Sequence, residues 1–416
     1  MQWRYLLGGI LVTCLFQIGI KMKTNIILNG DALEQLKTLP DESINCVMTS
    51  PPYWALRDYG VEGQLGLEPT FDEYINKLCD IFDEVKRVLR DDGTCWVNLG
   101  DTYSTQSGNM RSEEFNHPKY QKAKNVMNFI QPKTHLPDKT LCMIPFRFAI
   151  EMVNRGWILR NTIIWHKPNV MPSSVKDRFT VDFEYLFFFS KNKKYYFETQ
   201  YEPHLTNENR PEGVVRERTM KYQSKRNLNP KAYKSYSLRD VHGGKTSPDA
   251  YNPLGRNKRT VWSINPKPFK EAHFAVYPEE LCETPIKAGC PEFVCVKCGN
   301  PKTAIFEPSE EYAKNLRNQG KGWSSERRKE AIKIGNAMTE AKKHISSEYI
   351  HKGYKSRCSC NTEFTSGIVF DPFFGSGTTG LVALKQNKKF IGIELNKEYI
   401  EIAKARLKPY LEQTKF

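Results

Sequence analysis

Two short strings hold the residues of this 416-residue chain best suited to chemistry: Thr49-Ser50-Pro51-Pro52-Tyr53-Trp54, and Asp371-Pro372-Phe373-Phe374-Gly375-Ser376-Gly377-Thr378-Thr379-Gly380. In the first, two prolines fix φ near about −65° and remove two N–H donors. What remains is acceptor-rich: the Ser50 hydroxyl and the peptide carbonyls beside the prolines. Tyr53 adds a flat face. This set suits an exocyclic amino group whose lone pair is conjugated into a ring. Acceptors that take hydrogen bonds from its two N–H bonds favour a pyramidal nitrogen, and the lone pair can then point at an electrophilic methyl group. Tyr53 would stack on a base flipped out of a duplex. In-line transfer of this kind needs mainly positioning and electrostatics. The plainer reading is a rigid Pro-Pro turn with an ordinary buried tyrosine.

The second string follows a short apolar run, GIVF at 367–370, and precedes LVALK. Strand, glycine turn and helix in that order let backbone N–H groups approach a nucleotide-like ligand. The next strand, KFIGIEL at 389–395, ends in Glu394, about 20 residues after the glycines, where a carboxylate can accept from ribose hydroxyls. Gly375-x-Gly377-x-x-Gly380 formally matches a dinucleotide fingerprint. A dinucleotide domain needs several further strands downstream, whereas the residues after Glu394 read as one helix, KEYIEIAKARLKPYLEQ. The rest of the sheet must come from earlier in the chain, so the cofactor half is last.

Those motifs need a sheet to hold them. Strands are expected near 24–29, 44–49, 94–99, 160–166, 183–190, 367–370 and 389–394. Helices are expected near 70–90, 145–155, 278–288, 376–386 and 396–412. Gly156 is placed to end the second helix. The run FEYLFFFSKNKKYYF at 183–197 reads as a strand and hairpin, an antiparallel edge. The TSPPYW turn follows the strand INCVM at 44–48, where ligands bind in open α/β sheets.

With these motifs and their order, the chain resembles the S-adenosylmethionine-dependent amino-methyltransferases of DNA, in the permuted class whose catalytic motif precedes the cofactor motif. The resemblance covers most of residues 23–200 and 262–416. Thr-Ser-Pro-Pro-Tyr is similar to the version associated with N4 of cytosine; adenine-N6 enzymes more often begin with Asp or Asn. It implies that Ser50, Pro51, Pro52 and Tyr53 hold the target base. Asp371, Phe373, Gly375, Gly377 and Thr378 would lie around S-adenosylmethionine, with Glu394 at its ribose. Asp31, in Asn29-Gly30-Asp31-Ala32-Leu33, would contact its adenine. Phe274, in His273-Phe274-Ala275-Val276-Tyr277-Pro278, would close over it. The implied fold is α/β: a Rossmann-like, mainly parallel seven-stranded sheet of circularly permuted order. The rivals are N6-adenine methylation on the same fold and a catalytically inactive DNA-binding module. C5 methylation is rejected, because no Pro-Cys pair occurs.

The net charge of +15 suits a polyanionic partner, double-stranded DNA. Between residues 201 and 270, Lys and Arg outnumber Asp and Glu more than two to one, with little hydrophobic periodicity. This stretch reads as a DNA-reading insertion. The polar segment 105–140 reads as a loop near the catalytic face, or equally as a plain surface insertion. A cognate restriction endonuclease is an implied further partner.

Eleven cysteines in a chain of this length do not make a secreted disulfide scaffold. Cys295-Val-Lys-Cys298-Gly299 reads as a knuckle and Cys358-Ser-Cys360 as a second pair. Together they suit a structural four-thiolate zinc site with no open position; reduced core cysteines are the alternative. The apolar run 6–20 is shorter than the roughly 20 residues of a membrane span and has no cleavage site after it. Residues 1–21 are therefore expected to be an extension without a role, Met22 the working start, and the protein cytoplasmic with no stable membrane partner; a membrane anchor is the alternative.

The expected organisation is the extension (1–21), a catalytic half (22–200), a target-recognition region (201–265), a cofactor-lobe helix (266–290), a zinc-ribbon insertion (291–366) and a cofactor-binding half (367–416).

Overall fold

The computed structural model describes residues 22–56, 58–104, 134–202, 256–267, 276–308, 310 and 349–413. The expected extension 1–21, most of the loop 105–140 and most of the basic stretch 201–270 lie outside them.

The strands, in chain order, are β1 (Ile26–Asn29), β2 (Ile44–Thr49), β3 (Leu89–Leu99), β4 (Ile158–His166), β5 (Phe183–Ser190), β6 (Tyr201–Glu202), β7 (Arg256–Asn257), β8 (Val261–Ser263), β9 (Val294–Cys295), β10 (Thr303–Pro308), β11 (Tyr349–Lys355), β12 (Phe364–Thr365), β13 (Ile368–Asp371) and β14 (Lys389–Glu394). Eight form one sheet in the order β1-β14-β13-β2-β3-β5-β4-β8. Only β5 runs against its neighbours, so the sheet is mixed but mostly parallel. Strands β13 and β14, from late in the chain, stand between β1 and β2.

Two expectations are corrected here. The sheet has eight strands rather than seven; Val261–Ser263 adds to β4, too short to show periodicity. β5 is not an edge: it lies between β3 and β4. Its successive residues Leu186, Phe187, Phe188 and Phe189 are all buried, two on each face, because both faces of the sheet are covered there. The expected hairpin return at 194–197 forms no strand.

Alternation along the strands sorts the core into two layers. Val47, Cys95, Val97, Phe187 and Phe189 face the helices Phe71–Val88 and Ile144–Asn154. Cys46, Met48, Trp96, Leu186 and Phe188 face the helices Glu279–Gly289 and Thr378–Lys385. The Phe71–Val88 helix starts at Thr70, whose hydroxyl accepts from the Glu73 N–H at 3.2 Å. It buries Phe71, Tyr74, Ile75, Leu78, Phe82 and Val85, a single stripe at helical spacing. As expected, Gly156 ends the Ile144–Asn154 helix, at φ 83°. The short Ala32–Lys37 helix, capped by Asp31, has no counterpart among the expected elements.

Residues 199–258 and 303–355 form a second compact unit. Its described parts are the β6–β7 pair and the antiparallel β10–β11 pair, in which Thr303 faces Lys355. Among the described residues, no helix is long and apolar enough to cross a membrane.

Candidate functional site

One cavity of about 630 Å³ opens at the carboxyl ends of β1, β14, β13, β2, β3 and β4 and at the amino end of the antiparallel β5. Ser50, Pro51, Pro52 and Tyr53 line it, and so do Asp31, Phe373, Gly375, Thr378 and Glu394. The two motifs that bracket the chain therefore meet in one space. Asp371 and Gly377 do not line it. Phe274 lies outside the described residues, although its neighbours Val276 and Tyr277 are at the wall.

The β2 end is built as follows. Thr49, the last residue of the strand, is fully buried, and its hydroxyl donates to Asp371 Oδ1 at 2.6 Å. Ser50 then turns into the cavity, its hydroxyl donating to Asn98 Oδ1 at 3.3 Å. The Pro52 carbonyl, one of the expected acceptors, is taken by the Tyr74 hydroxyl at 2.8 Å. The Ser50 hydroxyl oxygen and the Pro51 carbonyl are left as the acceptors of this turn. Tyr53 donates to Glu184 Oε2 at 2.6 Å, which fixes its ring. Burial first, and then the Glu184 charge, hold its phenol well above the usual range. Gly100 allows the ring to lie where it does: a Cβ there would stand 2.6 Å from Tyr53 Cε2. Trp54 turns away into the core, donating to the Glu68 carbonyl at 2.9 Å.

The scattered half of this pocket escaped the sequence. Asn98 on β3 donates through Nδ2 to Glu184 Oε2 at 3.2 Å and to the Tyr185 carbonyl at 3.1 Å. Lys167, just past β4, pairs with Glu184 and stands over the Trp165 ring at 4.4 Å. The available signal was a polar residue inside an apolar run, as in CWVNLG and FEYLFFF, since buried polar groups need a reason.

At the β13 end, Gly375 and Gly377 have φ of 51° and 80°, the left-handed region that favours glycine. The Gly375 N–H donates to Glu394 Oε2 at 2.7 Å, and the Asn396 N–H donates to Oε1 at 2.8 Å. The second strand's carboxylate thus closes the turn that follows the first. Burial raises the Glu394 pKa, and these two N–H groups partly offset it. Asn29 pairs with Glu394 across β1 and β14, which puts Asp31 and Glu394 at adjacent strand ends. Thr378 lines the wall, but its hydroxyl accepts from Arg406 at 2.8 Å. Asp371 is one layer beneath. Its carboxylate accepts from Thr49, Thr379 (2.7 Å), the Phe373 N–H (3.0 Å) and Tyr277 (3.1 Å). Burial raises its pKa against those donors. The residue expected beside the ligand instead ties β2, β13, the Thr378–Lys385 helix and Tyr277 together.

Apart from this cavity, Cys295, Cys298, Cys358 and Cys360 bring their sulfurs within 4.8 Å of one another. Gly299, at φ 68°, returns the first turn, its N–H donating to the Cys295 carbonyl at 2.8 Å. β9 pairs with β12 beside them. The pairing of Thr303 with Lys355 brings together the ends of the long stretch between the two cysteine pairs.

A mostly parallel sheet with a glycine turn after one strand and carboxylates at two adjacent strand ends defines an α/β enzyme for a nucleotide-like cofactor. The chain belongs to the N6/N4 DNA methylase family, the S-adenosylmethionine-dependent amino-methyltransferases of DNA, whose profile matches residues 44–297 and 314–405. It is 33% identical over 383 residues to the Type II methyltransferase M.Cfr9I of Citrobacter freundii, covering 92% of this chain and 87% of that protein. It is 32% identical to the Type II methyltransferase M.SmaI of Serratia marcescens, covering 92% and 90%. Among solved structures, the cytosine-N4-specific PvuII DNA methyltransferase aligns over 93% of this chain and 87% of its own, with a TM-score of 0.46 and 18% identity.

Proposed function

We propose that this DNA methyltransferase modifies N4 of a cytosine turned out of duplex DNA, in the modification half of a Type II restriction–modification pair. The observation that carries the reading is the direction of the Ser50 hydroxyl. Its proton goes to Asn98, so its lone pairs are available to an amino group in the cavity. The Pro51 carbonyl is the second acceptor, and Tyr53, clamped by Glu184, is the stacking face. Thr before Ser50 and Ser in place of Asp or Asn favour cytosine over adenine, the second reading. The Type II names of the relatives support the restriction–modification setting.

S-adenosylmethionine supplies an electrophilic methyl group when bound. The residues present fit it. Asp31 and Glu394, at adjacent strand ends, would hold adenine and ribose, and Phe373, Gly375 and Thr378 would line the methionine end. Asp371 and Gly377 act from below, shaping the turn. The chain's own part in the reaction is to exclude water, align the amine and accept its N–H bonds. We read the late arrival of β13 and β14 as circular permutation of the cofactor sheet. The four clustered sulfurs fit a structural zinc ion, which would leave no position open for catalysis.

Digesting DNA methylated by the purified protein to nucleosides, and identifying the product by mass spectrometry, tests the reading. N4-methylcytosine is the expected product. N6-methyladenine would replace the first reading by the second, and no transfer to any DNA would remove both.

A further inference from the structure

Among the described residues, Lys77 and Lys167 are the cations on the cavity wall and the proposed reaction uses neither; Lys167 is the one whose partner, Glu184, also holds Tyr53 and Asn98. We infer that Lys167, held by Glu184, donates to the 2-oxo group of the target cytosine and is the residue that separates cytosine from adenine; this rests on the cytosine reading above.

The argument starts from what a flipped cytosine leaves unpaired. Its edge carries the amino group, the ring N3 and the 2-oxo oxygen. The first donates and the other two accept. Ser50 and the Pro51 carbonyl offer acceptors only, so they serve the amino group and leave the rest of the edge without donors. Tyr53 has one proton, and Glu184 Oε2 at 2.6 Å and Asn98 Oδ1 at 3.1 Å already compete for it. Asn98 spends both amide protons, on Glu184 and the Tyr185 carbonyl. Lys167 differs. Its ammonium has three donors, and among the described residues Glu184 is the one acceptor it meets.

Lys167 is also held in place. Its side chain and that of Glu184 are each 18% exposed. The ammonium lies 4.4 Å from the centre of the Trp165 ring, and Trp165 itself donates to the Ile264 carbonyl at 2.9 Å. A lysine clamped between a carboxylate and an indole face, on the wall of the same cavity as Ser50, does not sweep across solvent for phosphates as a surface lysine does. Glu184 connects the two sides of the site: one oxygen orients Lys167, the other orients Tyr53 and Asn98.

The discrimination follows from ring geometry. When adenine is laid with its amino nitrogen and N1 where cytosine has its amino nitrogen and N3, the 2-oxo position of cytosine becomes C2–H. A donor built for an oxygen then faces a carbon-bound hydrogen and has no partner. Sites that hydrogen-bond a substrate group reject the analogue lacking it far better than sites that only exclude bulk.

The test is a chemical cycle between protein and base. Wild type and Lys167→Met are assayed on duplexes that carry, at the methylated position, either cytosine or a carbon-linked 2-aminopyridine nucleotide, which keeps the amino group and the ring nitrogen and has C–H where cytosine has its 2-oxo group. Removing the oxygen should lower kcat/KM of the wild type by about 10- to 100-fold, the scale of one lost charge-assisted hydrogen bond. Lys167→Met should lose a similar factor on cytosine and little more on the altered base, and its preference for cytosine over a target adenine should shrink. Losses that multiply would overturn the proposal and make Lys167 a phosphate or packing residue. The wild-type arm stands even if the variant does not fold, since an unchanged rate on the altered base would itself refute the contact. If the wild type makes N4-methylcytosine and the cycle multiplies, only this inference falls. If it makes N6-methyladenine, the cytosine reading falls with it.

Discussion

Thr49 and Asp371 are 322 residues apart in the chain, and their side chains are hydrogen-bonded at 2.6 Å. This bond joins the strand that leads into the proline pair to the strand that leads into the glycine turn. Both partners are fully buried, and Asp371 needs each of its donors to offset the cost of burying a carboxylate. Thr49→Val keeps the shape and removes one donor. It should cost about 1–3 kcal/mol of stability, measured by urea unfolding. An unmoved midpoint would show that the bond is dispensable.

Ser50→Ala and Tyr53→Ala should separate turnover from cofactor binding. Neither residue belongs to the turn that would hold the cofactor. Single-turnover rates should fall by about 10²- to 10³-fold for Ser50→Ala, the scale seen when one positioned hydrogen-bonding group is removed from a reacting centre. The dissociation constant for S-adenosylmethionine should change little. A pocket variant that lost cofactor affinity in proportion to rate would remove the division of labour argued here.

Gly100→Ala is a quieter way to reach Tyr53. The new methyl would stand 2.6 Å from Tyr53 Cε2, so the ring must shift. A displacement near 1 Å at a positioning group can cost about 10²-fold in rate. Turnover should therefore drop while the circular dichroism spectrum is kept. Full activity in this variant would mean that the ring position is not needed.

Glu394 gives a pH dependence whose sign can be worked out. Burial raises its folded pKa; the N–H groups of Asn396 and Gly375 pull it part of the way back. The ionised form is the one that would accept fully from the ribose hydroxyls of the cofactor. Cofactor affinity should be complete above the raised folded pKa and fall as pH drops through it, earlier in an acid titration than for an ordinary glutamate. For stability the same shift works in reverse. The folded state holds the proton more tightly, so this group favours folding as pH falls from the folded pKa towards the unfolded one. Calorimetric titration of S-adenosylmethionine across pH should show the loss in wild type. Glu394→Gln should bind about 10- to 100-fold more weakly and lack that dependence. Persistence of the slope in the variant would assign it to another group.

The four clustered thiols predict one zinc ion per chain by elemental analysis. Chelation, or Cys298→Ser with Cys358→Ser, should lower the melting temperature. Protein free of zinc and equally stable would leave the cysteines as reduced thiols.

What the sequence made legible was local. The glycine turn, the proline pair and the strands that precede them are each contiguous, and periodicity and turn chemistry report on contiguous segments. Glu184, Lys167 and Asn98 come from three strands and carry no common spacing, so only the sheet order brings them together. Asp371 is expected beside the cofactor from its place in the resembled motif, which says nothing about which way a strand's last side chain points. Strand β5 is expected at an edge because 183–197 reads as a strand and hairpin, yet it pairs on both sides, with β3 and β4; its two buried faces report the layers above and below the sheet and not its place within it. Val261–Ser263 is held by pairing with β4 rather than by any pattern of its own.

Among the described residues, strand β1 has a single neighbour in the sheet, β14, and the side chain of Asn29 is bonded to a carbonyl 365 residues later. During synthesis, β1 leaves the ribosome without its partner. At about 5–20 residues per second, the wait is roughly 20–70 s. Over most of that interval β2 also lacks β13, so the basic stretch 201–270 is synthesised before the strands that would floor the cofactor site. The capacity to transfer a methyl group arrives late and all at once, when the last two strands slot between the first two.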